Sequence, residues 1–278
     1  MIITYILCSL LLLGFVGIVI YQRFLIRRTH QLAEQAEQSK QQMMAEQARN
    51  RQLKQEMTNN IAHELKTPVA SIRGYLEILL SDKPLTDEKR HYFLDRCYQQ
   101  TLRLSDLIND VSLINKLEEA DDLFPQEPIN LHAIAEEAIH ELEDKAQAQQ
   151  STLRNLLPHD MTITGNHSLA YCIFRNLMEN SLNHAGEGIE IALRCYKEDA
   201  DRVYLHFYDT GCGVDNLSLD KLFDRFVRLD EGRSRKTGGT GLGLSIVKHA
   251  VLFHGGSIYA KNRDTSGLEF YFSMKKGG

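Results

Sequence analysis

His63 and Glu64 stand side by side in the string Ile61-Ala62-His63-Glu64-Leu65-Lys66-Thr67-Pro68. A neutral imidazole can attack a phosphoryl group through one ring nitrogen while a neighbouring carboxylate takes the proton from the other. Taken alone, a His-Glu pair on a helix is most often a solvated polar face, so the chemistry depends on what else the chain supplies. Three later stretches could supply a nucleotide. Asn176 and Asn180, one turn apart in Arg175-Asn176-Leu177-Met178-Glu179-Asn180, share a helix face. Their amide oxygens are hard ligands of the kind magnesium takes beside phosphates and water; an ordinary polar face is the other reading. Asp209-Thr210-Gly211-Cys212-Gly213 offers a carboxylate able to accept from an exocyclic amine, with two glycines that let backbone approach a flat ligand. Gly238-Gly239-Thr240-Gly241-Leu242-Gly243-Leu244 opens a helix, where glycines beside free amides make a phosphate cradle. The spacing is not that of the dinucleotide fingerprint. Between the glycine clusters, Arg233, Arg235 and Lys236 sit in a run without apolar periodicity, read either as a lid with basic reach toward phosphates or as a solvated loop.

These groups need two kinds of scaffold. From about Met57 to Glu119, apolar residues recur at three- and four-residue steps on either side of Asp82-Lys83-Pro84, which predicts a helical hairpin. Two antiparallel helices bury too little apolar surface alone, so a homodimer closing a four-helix bundle is expected. Pro68 removes a backbone donor and crowds the carbonyl of Glu64, predicting a bend beside His63 or a plain structural kink. Pro125 and Pro128 mark a joint, and Asn130 is a good N-cap for a helix over Leu131 to Gln147. Alternating runs at 189–193 and 203–207, and later runs at 257–260 and 268–274, read as strands. With helices at about 167–184 and 242–254, they predict an α+β layer with helices on one face of a sheet.

Ahead of the hairpin, Ile2 to Tyr21 is almost wholly apolar and Arg23, Arg27 and Arg28 follow. That pattern predicts a single membrane-spanning anchor with the remainder in the cytoplasm; a cleaved signal peptide is the competing reading. No second apolar span follows, so no folded extracellular sensor is expected. Residues 29–56 favour an exposed helical linker, either a broken coiled coil or a solvated spacer. The net charge of -5 comes without a basic stripe and gives no reason to invoke nucleic acid. Cys8, Cys97, Cys172, Cys195 and Cys212 are scattered, which argues for reduced packing thiols rather than a disulfide framework or zinc site.

In their order along the chain, these motifs resemble those of the sensor histidine kinases of bacterial two-component systems. His63 to Pro68 resembles the family's H box, Asn176 to Asn180 its N box, Asp209 to Gly213 its G1 box, Phe223-Asp224-Arg225-Phe226 its F box and Gly239 to Gly243 its G2 box. The resemblance implies a dimerisation and phosphoacceptor hairpin over 57–120 and a Bergerat-type ATP-binding α/β sandwich over 127–278, after the anchor at 1–28 and linker at 29–56. It further implies that His63 receives the γ-phosphoryl group of ATP with Glu64 as its base, and that Asn180, helped by Asn176, coordinates Mg2+. Asp209 would hold the adenine amine, Gly211 and Gly213 would shape the adenine end, and Gly239, Gly241 and Gly243 the phosphate end. Arg228 would contact the γ-phosphate. Thr67 matches the position that orients water when the partner is dephosphorylated. The departures are Asn166 where many relatives carry Asp, and Asn183 and His184 where Lys and Tyr are frequent. The expected protein is thus a homodimeric, inner-membrane histidine autokinase that passes its phosphoryl group to an aspartate of a response regulator. The runner-up is a nucleotide-binding scaffold or phosphatase without autokinase activity.

Overall fold

The computed structural model describes residues 2–81, 84–119, 124–227 and 240–277, with many side chains before residue 54 outside that description. The chain divides into two compact units, Met1–Ile61 and Ala62–Gly278. Helix α1 (Ile2–Leu79) supplies the described residues of the first unit. No glycine or proline falls between Gly17 and Pro68, which leaves its linker stretch free of helix breakers. Most of the side chains of the apolar run expected to cross a membrane lie outside the described residues; among those described, no helix is long and apolar enough to do so.

The second unit begins with the hairpin. α1 runs through Pro68 without interruption and closes with Leu80 N donating to Leu76 O at 2.9 Å. Helix α2 (Asp87–Glu119) opens on Thr86, whose Oγ1 accepts from Lys89 N, and carries Asp87 and Glu88 in its first turn; both features favour a helix start. The two helices meet through Tyr75 and Phe93, ring centroids 5.8 Å apart, and through Cys97 Sγ donating to Ile72 O.

The remainder is an α/β layer. Strand β1 (Glu127–Asn130) leads directly into α3 (Leu131–Ala148), followed by β2 (Thr152–Leu156), β3 (Thr162–Gly165), α4 (His167–His184), β4 (Glu190–Glu198) and β5 (Arg202–Asp209). After a short 3-10 helix at Asn216–Lys221 come α5 (Gly243–Phe253), β6 (Ile258–Asn262) and β7 (Leu268–Lys275). β1 and β3 form an antiparallel ribbon, and the main sheet runs β2-β4-β5-β7-β6, parallel only between β2 and β4. Asn130 and Asn166 cap α3 and α4, their Oδ1 atoms accepting from Ala133 N at 2.9 Å and Leu169 N at 3.1 Å. α4 packs on α3 and α5. The core between helices and sheet includes Phe174, Leu177, Phe207 and Phe270, all fully buried.

Candidate nucleotide and phosphoacceptor site

His63 lies on α1 with its ring 80% exposed, so a nucleophilic nitrogen is accessible. Its Nδ1 is 4.0 Å from Glu64 Oε1. The other carboxylate oxygen lies 3.6 Å from Arg103 Nη2 on α2, and both charged side chains are about one-fifth exposed. Thr67 Oγ1 donates to His63 O at 3.2 Å, which ties that hydroxyl to the backbone one turn back. Pro68 is buried directly after it.

The second cluster gathers at the ends of α4, β5 and α5. Asp209 ends β5 and is 2% exposed. Ser181 Oγ donates to its Oδ2 at 2.9 Å, while Gly211 N and Leu268 N donate to Oδ1 at 2.9 and 3.3 Å. A carboxylate offers about four lone-pair positions; three are used, and one remains for an outside donor. Gly211 is required by packing, since a Cβ there would run into Ala185. Gly213 has φ +68° and lies against Asn262, whose side chain braces the turn by accepting from Val214 N at 2.9 Å.

Asn176 and Asn180 lie on α4 and are both half-buried. Asn176 Nδ2 donates to Cys172 O at 2.8 Å, leaving its Oδ1 turned toward Gly243, where a Cβ would come within 2.8 Å. The amide oxygen and the first residue of α5 are thereby adjacent, so the N-terminal end of that helix and the asparagine face share one place. Gly241 has φ +73° and packs on Phe226, itself at φ +62°, with Phe226 N donating to Gly241 O at 2.9 Å. The Phe223 to Phe226 stretch is thus closed onto the glycine loop, and Phe223 meets Phe270 of the core edge to face. Gly239, Arg228 and the basic run Arg233, Arg235 and Lys236 lie outside the described residues.

The residues fit a magnesium nucleotide: a buried carboxylate with a spare lone pair, glycines whose Cβ positions are blocked, and the Asn176 amide oxygen beside a helix N-terminus. Residues 53–120 match the family model of the His Kinase A (phospho-acceptor) domain, and residues 165–278 match that of the histidine kinase-, DNA gyrase B- and HSP90-like ATPase. The chain belongs to the sensor histidine kinases. It is 30% identical over 232 residues to sensor histidine kinase WalK of Bacillus subtilis, covering 83% of this chain and 38% of WalK. It is 33% identical over 207 residues to the phosphate regulon sensor protein PhoR of Pseudomonas aeruginosa, covering 73% of this chain and 46% of PhoR. The chain therefore spans less than half the length of these two relatives. In fold it is similar to histidine kinase ThkA in complex with response regulator protein TrrA, with a TM-score of 0.61, 21% identity, and coverage of 80% of this chain and 61% of that one.

Several residues around these two clusters have no signal in the sequence. Ser181 directly follows Asn180, and its pairing with Asp209 needed the α4–β5 juxtaposition to become visible. Arg103 stands among ordinary helix-surface residues, and only the hairpin register brings it to Glu64. Among the described residues Cys97, Cys172, Cys195 and Cys212 are free thiols, and burial pushes the Cys172 thiol up.

Proposed function

We propose that the protein is an ATP-dependent histidine autokinase that phosphorylates His63 and passes the phosphoryl group to an aspartate of a response regulator. The observation that carries this is the accessible His63 ring with Glu64 at its Nδ1 side, in a chain that also holds the Asp209 and glycine-loop pocket. With Nδ1 toward Glu64, Nε2 is the attacking nitrogen. It forms the bond to the γ-phosphorus as the bond to the ADP oxygen breaks, and the Nδ1 proton passes to Glu64. Asp209 receives the adenine amine at its remaining lone pair, Gly211 and Gly213 admit the base, and Gly239, Gly241 and Gly243 with the α5 amides hold the phosphates. Asn180, with Asn176, holds Mg2+, which neutralises charge on the phosphates. Arg228 serves the γ-phosphate.

The working protein is a homodimer through the 57–120 hairpin, with 127–278 as the ATP-binding domain. The apolar run Ile2 to Tyr21 and the arginines after it support a single-pass anchor at 1–28 in the inner membrane, with the linker at 29–56 and the catalytic domains cytoplasmic. An alkaline carbonate wash tests this: the protein stays with the membrane pellet, and loss of residues 1–28 releases it. Thr67, on the His63 turn, supports a phosphatase mode toward the regulator. Incubation with γ-labelled ATP decides the main reading. An acid-labile, base-stable label absent from His63→Gln is expected; normal ATP binding without any label would leave the nucleotide-binding scaffold instead.

A further inference from the structure

Asp110, on α2, reaches the glycine loop of the ATP-binding domain. Thr240 Oγ1 donates to Asp110 Oδ2 at 2.8 Å, and the same hydroxyl oxygen accepts from Leu242 N at 3.2 Å, at the N-cap of α5. α2 packs on α5, and Ile114, one turn past Asp110, is fully buried, as are Leu242 and Ile246. Leu113 and Leu117 of the same helix lie against the core of the ATP-binding domain. The carboxylate is crowded by its own sign of charge: Asp106 and Glu179 repel it. Arg175 attracts it, but that guanidinium is already paired with Glu141 at 2.8 Å and Glu179 at 2.9 Å. Burial pushes the Asp110 carboxyl above the usual range. A carboxylate lodged where a glycine loop enters a helix meets the kind of donor that also serves phosphate oxygens, and two anions there repel one another.

We propose that Asp110 is a latch that holds α2 against the glycine loop and competes there with the phosphates of ATP, so that nucleotide binding and release of α2 are one coupled event. This rests on the kinase reading, which assigns that loop to the phosphates. The coupling is reciprocal: whatever the Asp110–Thr240 contact adds to docking is subtracted from ATP affinity. Ile114, Leu113 and Leu117 supply undirected apolar adhesion, whereas Asp110 makes that adhesion sensitive to an arriving anion. The latch therefore sets the fraction of molecules in which Thr240 is released from α2.

The test uses the full 278-residue chain in detergent, with a non-hydrolysable ATP analogue and Mg2+. Calorimetry gives the analogue's Kd, and hydrogen exchange reports protection over residues 106–117. Asp110→Ala is expected to bind the analogue about five-fold more tightly and to show fast α2 exchange before any nucleotide is added. In the wild type, the analogue should accelerate that exchange. Thr240→Val removes the donor from the other side and should likewise loosen α2 without nucleotide, which keeps the test open if Asp110→Ala does not fold. Unchanged or weaker binding by Asp110→Ala, or α2 exchange indifferent to the analogue, overturns the latch while leaving the kinase reading intact. A wild type that binds no analogue removes both.

Discussion

Arg103 and Glu64 join the two hairpin helices at the reactive turn, with Arg103 Nη2 3.6 Å from Glu64 Oε2 while Oε1 of the same carboxylate faces His63 Nδ1. One oxygen thus lies by a cation and the other by the histidine. Arg103 is a positioning residue on this geometry, acting through Glu64. General-base assistance is worth about 100-fold or more, so Glu64→Gln should slow labelling of His63 by about that factor. Arg103→Ala should slow it by roughly tenfold, having lost orientation but kept the base. Arg103→Lys, which retains the charge without the fork, should recover part of the rate. Initial labelling rates at saturating ATP measure all three, and an Arg103→Ala rate equal to wild type would remove Arg103 from the account.

Ser181 makes a second, separable prediction. Its hydroxyl donates to Asp209 Oδ2 at 2.9 Å, and both side chains are buried. Asp209→Asn should abolish ATP binding, since two backbone N–H groups hold the amide oxygen in the Oδ1 place and the amide nitrogen then meets the adenine amine as donor against donor. Ser181→Ala should weaken binding by about 1.4 kcal/mol, tenfold in Kd, with His63 labelling restored at high ATP. Calorimetric titration with ATP checks both.

The Gly211 position tests packing rather than chemistry. A methyl there meets the Ala185 side chain and backbone together, with no flexible neighbour to yield. Gly211→Ala should cost about 1–3 kcal/mol of stability in the ATP-binding domain, read as a lower midpoint in urea. An unchanged midpoint would mean that the turn can shift without cost.

How far the sequence carried depends on the range of each interaction. The hairpin, the strands within 190–209 and 258–275 and the helices α3 to α5 were legible because apolar period and capping residues are local. The 3-10 helix at Asn216–Lys221 and the strands β1 to β3 were not. β1 and β3 have four residues each and β2 pairs along only one edge, too short or one-sided to leave a clear alternation. α1 reads as three segments by composition yet is one helix, because no glycine or proline stands at either compositional boundary. In the candidate site, the glycine and asparagine stretches stood out through their order along the chain and the family resemblance that order carries, since each taken alone has a bland alternative. Ser181, Arg103 and the Asp110–Thr240 contact join residues far apart in the chain, and nothing in one-dimensional pattern encodes such meetings.

Acid should weaken the ATP-binding domain through His254. Asn166 N donates to its Nε2 at 3.1 Å, and its Nδ1 lies 2.7 Å from Ala250 O, so the buried ring is neutral with its proton on Nδ1. Burial holds its pKa below the ordinary value of 6.5. Burial also lowers that of His206, which sits between Arg194 and Glu269 on the outer face of the sheet. A base whose folded pKa is depressed binds its proton more readily unfolded, so stability is full above the unfolded pKa and falls as pH drops below about 6.5. The melting temperature should therefore be lower at pH 5.5 than at pH 7.5, and His254→Gln should flatten that slope. A variant that kept the full slope would assign it elsewhere.

The hairpin leaves an apolar face that one copy does not cover. On α1, Val69 and Leu76 are seven residues apart and both exposed; on α2, Leu94, Tyr98 and Leu102 follow at steps of four, with Ile108 beyond. Soluble helices do not ordinarily carry such stripes to water, and a second hairpin packed on them would complete a four-helix bundle with both stripes buried. Charges placed in that seam must be desolvated on assembly, whereas in a monomer they remain in water. Val69→Lys combined with Ile108→Lys should accordingly shift the sedimenting species from dimer to monomer. If the doubly substituted protein still sediments as a dimer, the seam lies on another face of the hairpin, and Leu94 and Tyr98 become indifferent to substitution.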